Sequence, residues 1–439
     1  MPFFFDLLYG LILLLVSPWL IVRSFRTGRY RQNRRAKILG PSVPADRIAG
    51  PVVWFHGVSV GEIHLLRQVV GSFRQRHPEW QIVVSSTTDT GLAEARKHFA
   101  DLTVIAYPLD FSWAVRRAME RIRPKLIVLA ESELWPNFLR AAGRANAPVV
   151  VVNGRMSPRT FRRLSRIARI ARRLMFERVT VFGVQSETYA RHLKELGVPP
   201  DRVVVTGSVK YDGVWVEGSN PKTDELRRIL GLARDDVVWV AGSTHDPEER
   251  IVSAIYRRLA DEFPTLRLIV VPRSPDRFDE VAAIFEATGL PCLRRSRIEG
   301  DPLLSSSTRP VLLIDTLGEL AAVWGLATIG FTGGSLNRKR GGQSMIEPAG
   351  LGVPVLFGPH TWNFRDAVAG LLEAGGAIVV GDARDLEREV RRLIGDEALR
   401  KRMGEAGKRF VETQQGATPR TLDLIDSVIS SGKSRSSDE

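Results

Sequence analysis

The strongest constraint in this sequence is a rhythm that runs twice. Short, β-rich apolar runs at 52–55, 82–85, 126–129, 149–152, 179–184 and 203–206 alternate with helical patterns, among them 63–76, 92–99, 113–122 and 137–142. Apolar runs with few polar positions suit strands buried on both faces. Separated by helix-length segments, they describe βαβ units of a parallel, doubly wound sheet. Residues 213–223 (GVWVEGSNPKT) break the rhythm with Gly, Ser, Asn and Pro, which marks an interdomain linker. The alternation restarts with strand candidates at 237–241, 266–271, 311–314, 328–331, 354–357 and 377–380. A long last helix is expected over 386–414, and a charged, Ser-rich, disordered tail over 430–439. The reading therefore places α/β domains at 51–212 and 224–429. Open parallel sheets bind ligands beyond the C-terminal ends of their strands. Two such sheets are expected to face a cleft where an enzyme brings two substrates together.

The N-terminus has another pattern. Residues 3–22 are apolar except for Asp6, tolerate Tyr9, Gly10, Ser17 and Pro18, and are succeeded by Arg23, Arg26, Arg29, Arg31, Arg34, Arg35 and Lys37. About 20 such residues span a bilayer core, and the basic flank orients the remainder of the chain toward the cytoplasm. The expectation is a membrane anchor at 1–22 and a basic linker at 23–50, the alternative being a buried core helix. Net charge is +14, concentrated in two places. One is this flank. The other is 155–178, with nine Arg, no Lys and one Glu. Guanidinium-rich patches suit phosphates. The single cysteine, Cys292, excludes an intramolecular disulfide and Cys-based zinc sites. The seven histidines show no metal-ligand spacing, and no D-x-D pair, P-loop or G-x-G-x-x-G fingerprint is present.

Four motifs in the first domain can carry chemistry. WFHGVSVGE (54–62) stands at a strand end with a helix beginning near Glu62. Small residues at Gly57, Ser59 and Gly61 let a ligand approach the backbone. Glu62 stands where a general base would, although the helix dipole alone also favours a first-turn glutamate. AESELWPN (130–137) sets Glu131 and Glu133 around a serine before a helix-starting proline, which is either chemistry or N-terminal capping. NGRMSP (153–158) leads into an amphipathic basic helix bearing Arg159, Arg162, Arg163, Arg166, Arg169 and Arg173 beside an apolar stripe. No nucleic-acid-binding motif accompanies it, so lipid headgroups are the expected partner, against a merely solvated face. TGSVKYD (206–212) places Lys210 after a strand, as a cation for developing negative charge or as a surface turn residue.

The second domain carries five loops at successive strand ends. They hold Ser243, Thr244 and His245; Pro272 and Arg273; Leu317, Gly318 and Glu319; Gly334 and Ser335; and Gly342 through Glu347. Glycines, hydroxyls and helix N-termini suit phosphate, and a glutamate one turn into a helix can accept both ribose hydroxyls. Together they point to a nucleotide site.

With these residues in view, the chain resembles the 3-deoxy-D-manno-octulosonic acid (Kdo) transferases of lipopolysaccharide synthesis over nearly its whole length. The motifs that carry the resemblance are HGVSVGE, ESELWPN, NGRMSPR, TGSVKYD, STHDPEE, VPRSPDRF, DTLGEL and GGSL…GGQSMIEPA…GPHTWNF. The resemblance implies a GT-B fold and an inverting, metal-independent glycosyltransferase without a cofactor. It implies CMP-Kdo as donor and a phosphorylated lipid A precursor as acceptor, at the cytoplasmic face of the bacterial inner membrane. Glu62 would be the general base, with Glu131 and Lys210 stabilising the transition state. Pro272, Arg273, Leu317, Gly318, Glu319, Ser344, Met345, Ile346 and Glu347 would hold CMP. Ser243, Thr244, His245, Gly334, Ser335 and Gly342 are further donor candidates, and Ser59, Gly61, Glu133, Arg155, Arg159, Arg162 and Arg163 are acceptor candidates. Two departures stand out. The family's usual Gly-Gly-His-Asn-Pro loop reads Gly341-Gly342-Gln343-Ser344-Met345, and its Arg-Trp-Gly element is replaced by the stretch 35–40. The competing readings are a membrane-associated GT-B transferase with another nucleotide sugar, a nucleotide-sugar epimerase and a non-catalytic lipid-binding relative.

Overall fold

Val52–His56 is buried along its whole length, with Val52 and Trp54 in one core layer and Val53 and Phe55 in the other. That alternation is the local cause of the architecture, because a strand apolar on both faces must be covered on both. The computed structural model describes residues 2–27, 33–41, 50–131, 133–214, 220–298 and 309–436, with the backbone alone at 2–4, 20–27 and 432–436. Ser132, the middle of the expected linker (215–219) and the basic side chains at 23–31 lie outside the described residues.

The first sheet is parallel throughout. It comprises β1 (Val52–His56), β2 (Gln81–Ser86), β3 (Thr103–Ala106), β4 (Leu126–Ala130), β5 (Val149–Gly154), β6 (Val181–Val184) and β7 (Val203–Val205), in the order β3-β2-β1-β4-β5-β6-β7. The second, also parallel, comprises β8 (Val237–Thr244), β9 (Leu266–Pro272), β10 (Cys292–Arg294), β11 (Val311–Leu313), β12 (Ile329–Thr332), β13 (Val355–Phe357) and β14 (Ala377–Val379), in the order β10-β11-β9-β8-β12-β13-β14. Each sheet has one strand more than the sequence pattern suggests. The additions, β3 and β10, are edge strands of only four and three residues with half-exposed positions, so their apolar runs are too short to stand out.

The domain boundaries differ from the expectation. One compact unit is Met1–Gly213 with Gln415–Glu439, and the other is Val214–Gln414. The expected last helix is two, Ala383–Gly395 and Glu397–Gln414. A third, Ala417–Ser436, runs through most of the expected disordered tail and returns to the first unit. There Leu422, Leu424, Ile425 and Val428 are buried with Ile63, Val69 and Phe73. Asp212 accepts from Gly416 N (2.8 Å), Ala417 N (3.3 Å) and Thr418 N, which satisfies the free amides of that helix start.

The apolar N-terminal run is a helix, Pro2–Thr27. No helix among the described residues is long and apolar enough to cross a membrane. Its one acid is structurally engaged. Asp6 accepts from Ser112 N (2.8 Å) and Ser112 Oγ (2.5 Å), covering the N-terminus of the helix Ser112–Ile122, while Tyr9 meets Phe111 and Trp135 edge-on. Part of the expected linker is also ordered and docked. The helix Arg34–Leu39 lies beside the helix Ser112–Ile122, with Trp113 Nε1 donating to Ile38 O and Arg121 donating to Pro41 O. Asp6→Ala should therefore lower stability by about 1 kcal/mol, the usual cost of a lost cap. Thermal unfolding reads this as a drop of a few degrees, and an unchanged midpoint would mean that the N-terminal helix does not dock.

Candidate active site

The helix Val60–Arg76 begins at Ser59, whose Oγ accepts from Glu62 N (3.4 Å) while donating to Glu62 Oε1 (3.1 Å). Val58 N donates to Glu62 Oε2 at 2.6 Å. This is a variant of the capping box in which the glutamate reaches the amide one residue before the cap, so the helix-start alternative is correct as far as it goes. It does not exhaust the residue's chemistry. Burial pushes the Glu62 carboxyl up to about 7, against the two hydrogen bonds, and the negative charges of Glu131 and Glu133 add to the rise. Gly57 leaves room for this fold-back, since a Cβ there would sit 3.1 Å from Glu62 Cβ. Gly61 faces open space.

Glu131 comes directly after β4 in the left-handed region (φ 58°), rare for a non-glycine residue and typical of a side chain held for a purpose. Its carboxylate lies 3.8 Å from Arg155 Nε and 3.9 Å from Lys210 Nζ. Residues far apart in sequence thus converge beyond the strand ends. The Lys210 turn is pinned in turn, because Val209 N donates to Oδ1 of the fully buried Asn153 (3.1 Å). Glu133 accepts from Trp135 Nε1 (2.9 Å), and burial raises its carboxyl. The basic helix is two helices, Pro158–Ser165 and Ala168–Leu174, broken at Arg166 and Ile167. Arg159, Arg162 and Arg163 are exposed on the first. The histidines are not all scattered either. His64, Glu94 and His98 meet in a partly exposed cluster drawn from two helices, with Glu94 2.7 Å from His98 and 3.4 Å from His64.

In the second unit a cavity of about 250 Å³ opens at the ends of β8, β9 and β11. Ser243, Pro272, Arg273, Leu317, Gly318, Ser344 and Glu347 line it as the sequence suggested, together with Gln343. A register shift between Gly242 and Thr244, with Ser243 at φ 54°, accompanies Ser243 in the cavity wall and Thr244 fully buried. Burial raises the Glu347 carboxyl.

Other candidates do not line this cavity. Met345 and Ile346 are buried. Glu319 is buried and held by Thr316 Oγ1, by Arg295 (3.5 Å) and by Lys222 (3.8 Å). The amides read as a phosphate cradle are already taken. Glu248, fully buried, accepts from His245 N (2.9 Å), Gly334 N (2.7 Å), Ser335 N (3.0 Å) and Leu336 N (3.0 Å). Gly342 N is likewise spent on Gly334 O (2.8 Å). His245 is pushed down to about 4 by burial and by Arg340, Arg277 and Arg273, so it is neutral near pH 7. The sequence reading missed the role of Glu248, three of whose four amide partners lie 86 to 88 residues away. It also missed Phe278 and Thr316 in the cavity wall, although both stand in or beside quoted motifs.

Residues 25–213 match the family model described as 3-deoxy-D-manno-octulosonic-acid transferase (kdotransferase). Over 423 residues the chain is 32% identical to the 3-deoxy-D-manno-octulosonic acid transferase of Haemophilus influenzae, covering 95% of this chain and 97% of that one. The chain belongs to the Kdo transferase family. It is a glycosyltransferase. The Kdo transferase of Bordetella pertussis is 33% identical over 398 residues, covering 88% of this chain and 89% of that one. Among solved structures, the UDP-GlcNAc 2-epimerase of Neisseria meningitidis aligns with a TM-score of 0.57 at 14% identity, covering 87% of this chain and 100% of that one. The UDP complex of MnaA from S. aureus aligns at 0.55 and 16% identity, covering 87% and 97%. These likenesses are of fold alone, GT-B-like, so the epimerase resemblance carries no activity to this Kdo transferase.

Proposed function

We propose that this Kdo transferase moves Kdo from CMP-Kdo, with inversion and without a metal ion, to a phosphorylated lipid A precursor at the cytoplasmic face of the inner membrane. The observation that carries the reading is the Glu62 carboxylate held beyond the end of β1 by Val58 N (2.6 Å) and Ser59 Oγ (3.1 Å), where burial and the charges of Glu131 and Glu133 lift it to about 7. A group with that pKa accepts a proton at neutral pH and still ionises there. Val58 N and Ser59 Oγ fix its orientation.

In the proposed step the acceptor hydroxyl oxygen attacks the anomeric carbon of Kdo as its proton passes to Glu62. The bond from that carbon to the CMP phosphate oxygen breaks, and CMP leaves with the electron pair. Positive character develops at the anomeric carbon, where the Glu131 carboxylate is useful, and negative charge develops on the leaving phosphate, where the Lys210 ammonium is useful. The donor cavity would take CMP along Pro272, Arg273, Leu317, Gly318, Ser344 and Glu347. Membrane placement is supported by the helix Pro2–Thr27, which exposes Leu7, Leu14, Leu15 and Trp19, and by the exposed arginines of 158–174. Phosphates of the acceptor suit those guanidinium groups.

Arg273→Ala should weaken CMP binding about tenfold, the loss of one charge-assisted contact. Calorimetric titration with CMP checks it, and an unchanged Kd would remove Arg273 from the donor site. The direct test of the function is transfer itself. Purified protein with CMP-Kdo generated in place and a tetraacylated, bis-phosphorylated lipid A precursor should give a lipid heavier by one or more Kdo units in mass spectrometry. No gain while CMP still binds would point to another acceptor, or to a donor preference altered at Gln343.

A further inference from the structure

Beneath the two basic helices lies a second cavity, of about 150 Å³, whose wall includes Glu131 but none of the donor candidates. Its wall is mostly apolar, built from Leu164 and Met175 of the basic segment, from Phe182 and Val184 of β6 and from Leu193 of the helix Glu187–Glu195. Phe182, Val184 and Leu193 are buried. Its charged lining residues are Glu131 and Arg155, which pair with each other, and Arg155 and Thr160 reach solvent, so the cavity meets water on the side of Glu131. Outside, the same helices expose Arg159, Arg162, Arg163, Arg166, Arg169, Arg172 and Arg173, with Ile167 (48%) and Ile170 (57%) among them.

We propose that this cavity receives the end of an acyl chain of the acceptor lipid while the arginines outside hold its phosphates. The inference rests on the lipid-acceptor reading of the function. Chemistry selects the occupant. A sugar or phosphate would leave its polar groups unpaired against Leu164, Met175, Phe182 and Val184, at high cost. A cavity of this size with so largely apolar a wall admits a benzene-sized guest, which corresponds to roughly six carbons of chain. An amphiphile anchored this way places its headgroup beside Glu131. The acceptor would thus be selected by its chain as well as its charge.

Two measurements on the full chain test this. In the first, methyl-labelled methionine is observed by NMR during titration with octanoate. The Met156 and Met175 methyls, both in the cavity wall, should shift, while Met119, Met345 and Met403 should not. Leu164→Trp, which fills the space, should abolish the shift, and Leu164→Ala should retain it. Met175→Trp replaces the filling variant if Leu164→Trp does not fold, with Met156 as the reporter. Equal shifts in the filled variant, or shifts only at other methionines, would overturn the proposal.

The second measurement is the ratio of kcat/KM for the tetraacylated acceptor to that for its de-acylated form. The wild type should prefer the acylated form at least about tenfold, a fraction of what burying several methylenes can supply. The filled variant should lose most of that preference. An undiminished preference would also overturn the proposal. If the wild type transfers to neither acceptor, the acceptor reading has failed, and the octanoate titration alone decides what the cavity holds.

Discussion

Glu62→Gln should reduce transfer by about two to four orders of magnitude, the usual contribution of a positioned general base, while leaving CMP affinity unchanged. The substitution is close to isosteric, and Gln can still close the capping box with Ser59, so the helix Val60–Arg76 should form normally. Two pH effects accompany it. The working form of the base is the carboxylate. With the carboxyl at about 7, wild-type kcat/KM should fall tenfold per unit as pH drops below 7 and level off above it. The residual rate of the variant should lack that limb. Stability moves the other way. The native carboxyl holds its proton more tightly than an ordinary glutamate, so its contribution to stability is fully present below about 4.5 and is lost as pH rises to about 7. Gln has no proton to lose, so the unfolding midpoint of the variant should gain on the wild type between pH 5 and pH 8. A variant that keeps wild-type turnover, or a wild type whose rate is flat through pH 6, would remove Glu62 from the role of base.

Ending the chain at Gln414 should cost the first unit most of its stability, although every residue of the second unit is retained. The lost helix, Ala417–Ser436, buries Leu422, Leu424, Ile425 and Val428 against the helix Val60–Arg76 and its neighbours. At roughly 2 kcal/mol per side chain this is about 8 kcal/mol as an upper figure, comparable to the whole stability of a typical domain. The truncation also strips Asp212 of the amides at 416–418, and Thr206 O of the Arg420 guanidinium. Both anchor the loop that carries Lys210. Hydrogen exchange should show β1 through β7 losing protection. Protection unchanged from the full chain would show that the C-terminal helix is dispensable. Asp212→Asn offers a milder version, weakening only the cap.

The βαβ rhythm was legible because its strands are buried on both faces. Runs such as 126–129 and 149–152 carry no polar residue and admit few other readings. β3 and β10 escaped because edge strands need only one apolar neighbour, and Arg294 serves Asp315 and Asp279 rather than a core. The helical break at Arg166 and Ile167 escaped because arginines at 3–4-residue spacing continue across it.

The sequence by itself determined two parallel α/β sheets, the strand-end motifs and the family, because these depend on local pattern and on residue identity in order. It also marked Glu62, Glu131, Lys210 and Arg273. Only the tertiary structure decided what those groups face. It brought Lys210 and Arg155 to Glu131 and buried Glu62 enough to lift its carboxyl. It gave the amides of Gly334, Ser335 and Leu336 to Glu248 instead of a ligand, and it sent the last helix back to the first unit. Hydrogen-bond partners and burial are set by contacts between residues distant in sequence, and a linear pattern does not encode which of several acceptors reaches a given amide.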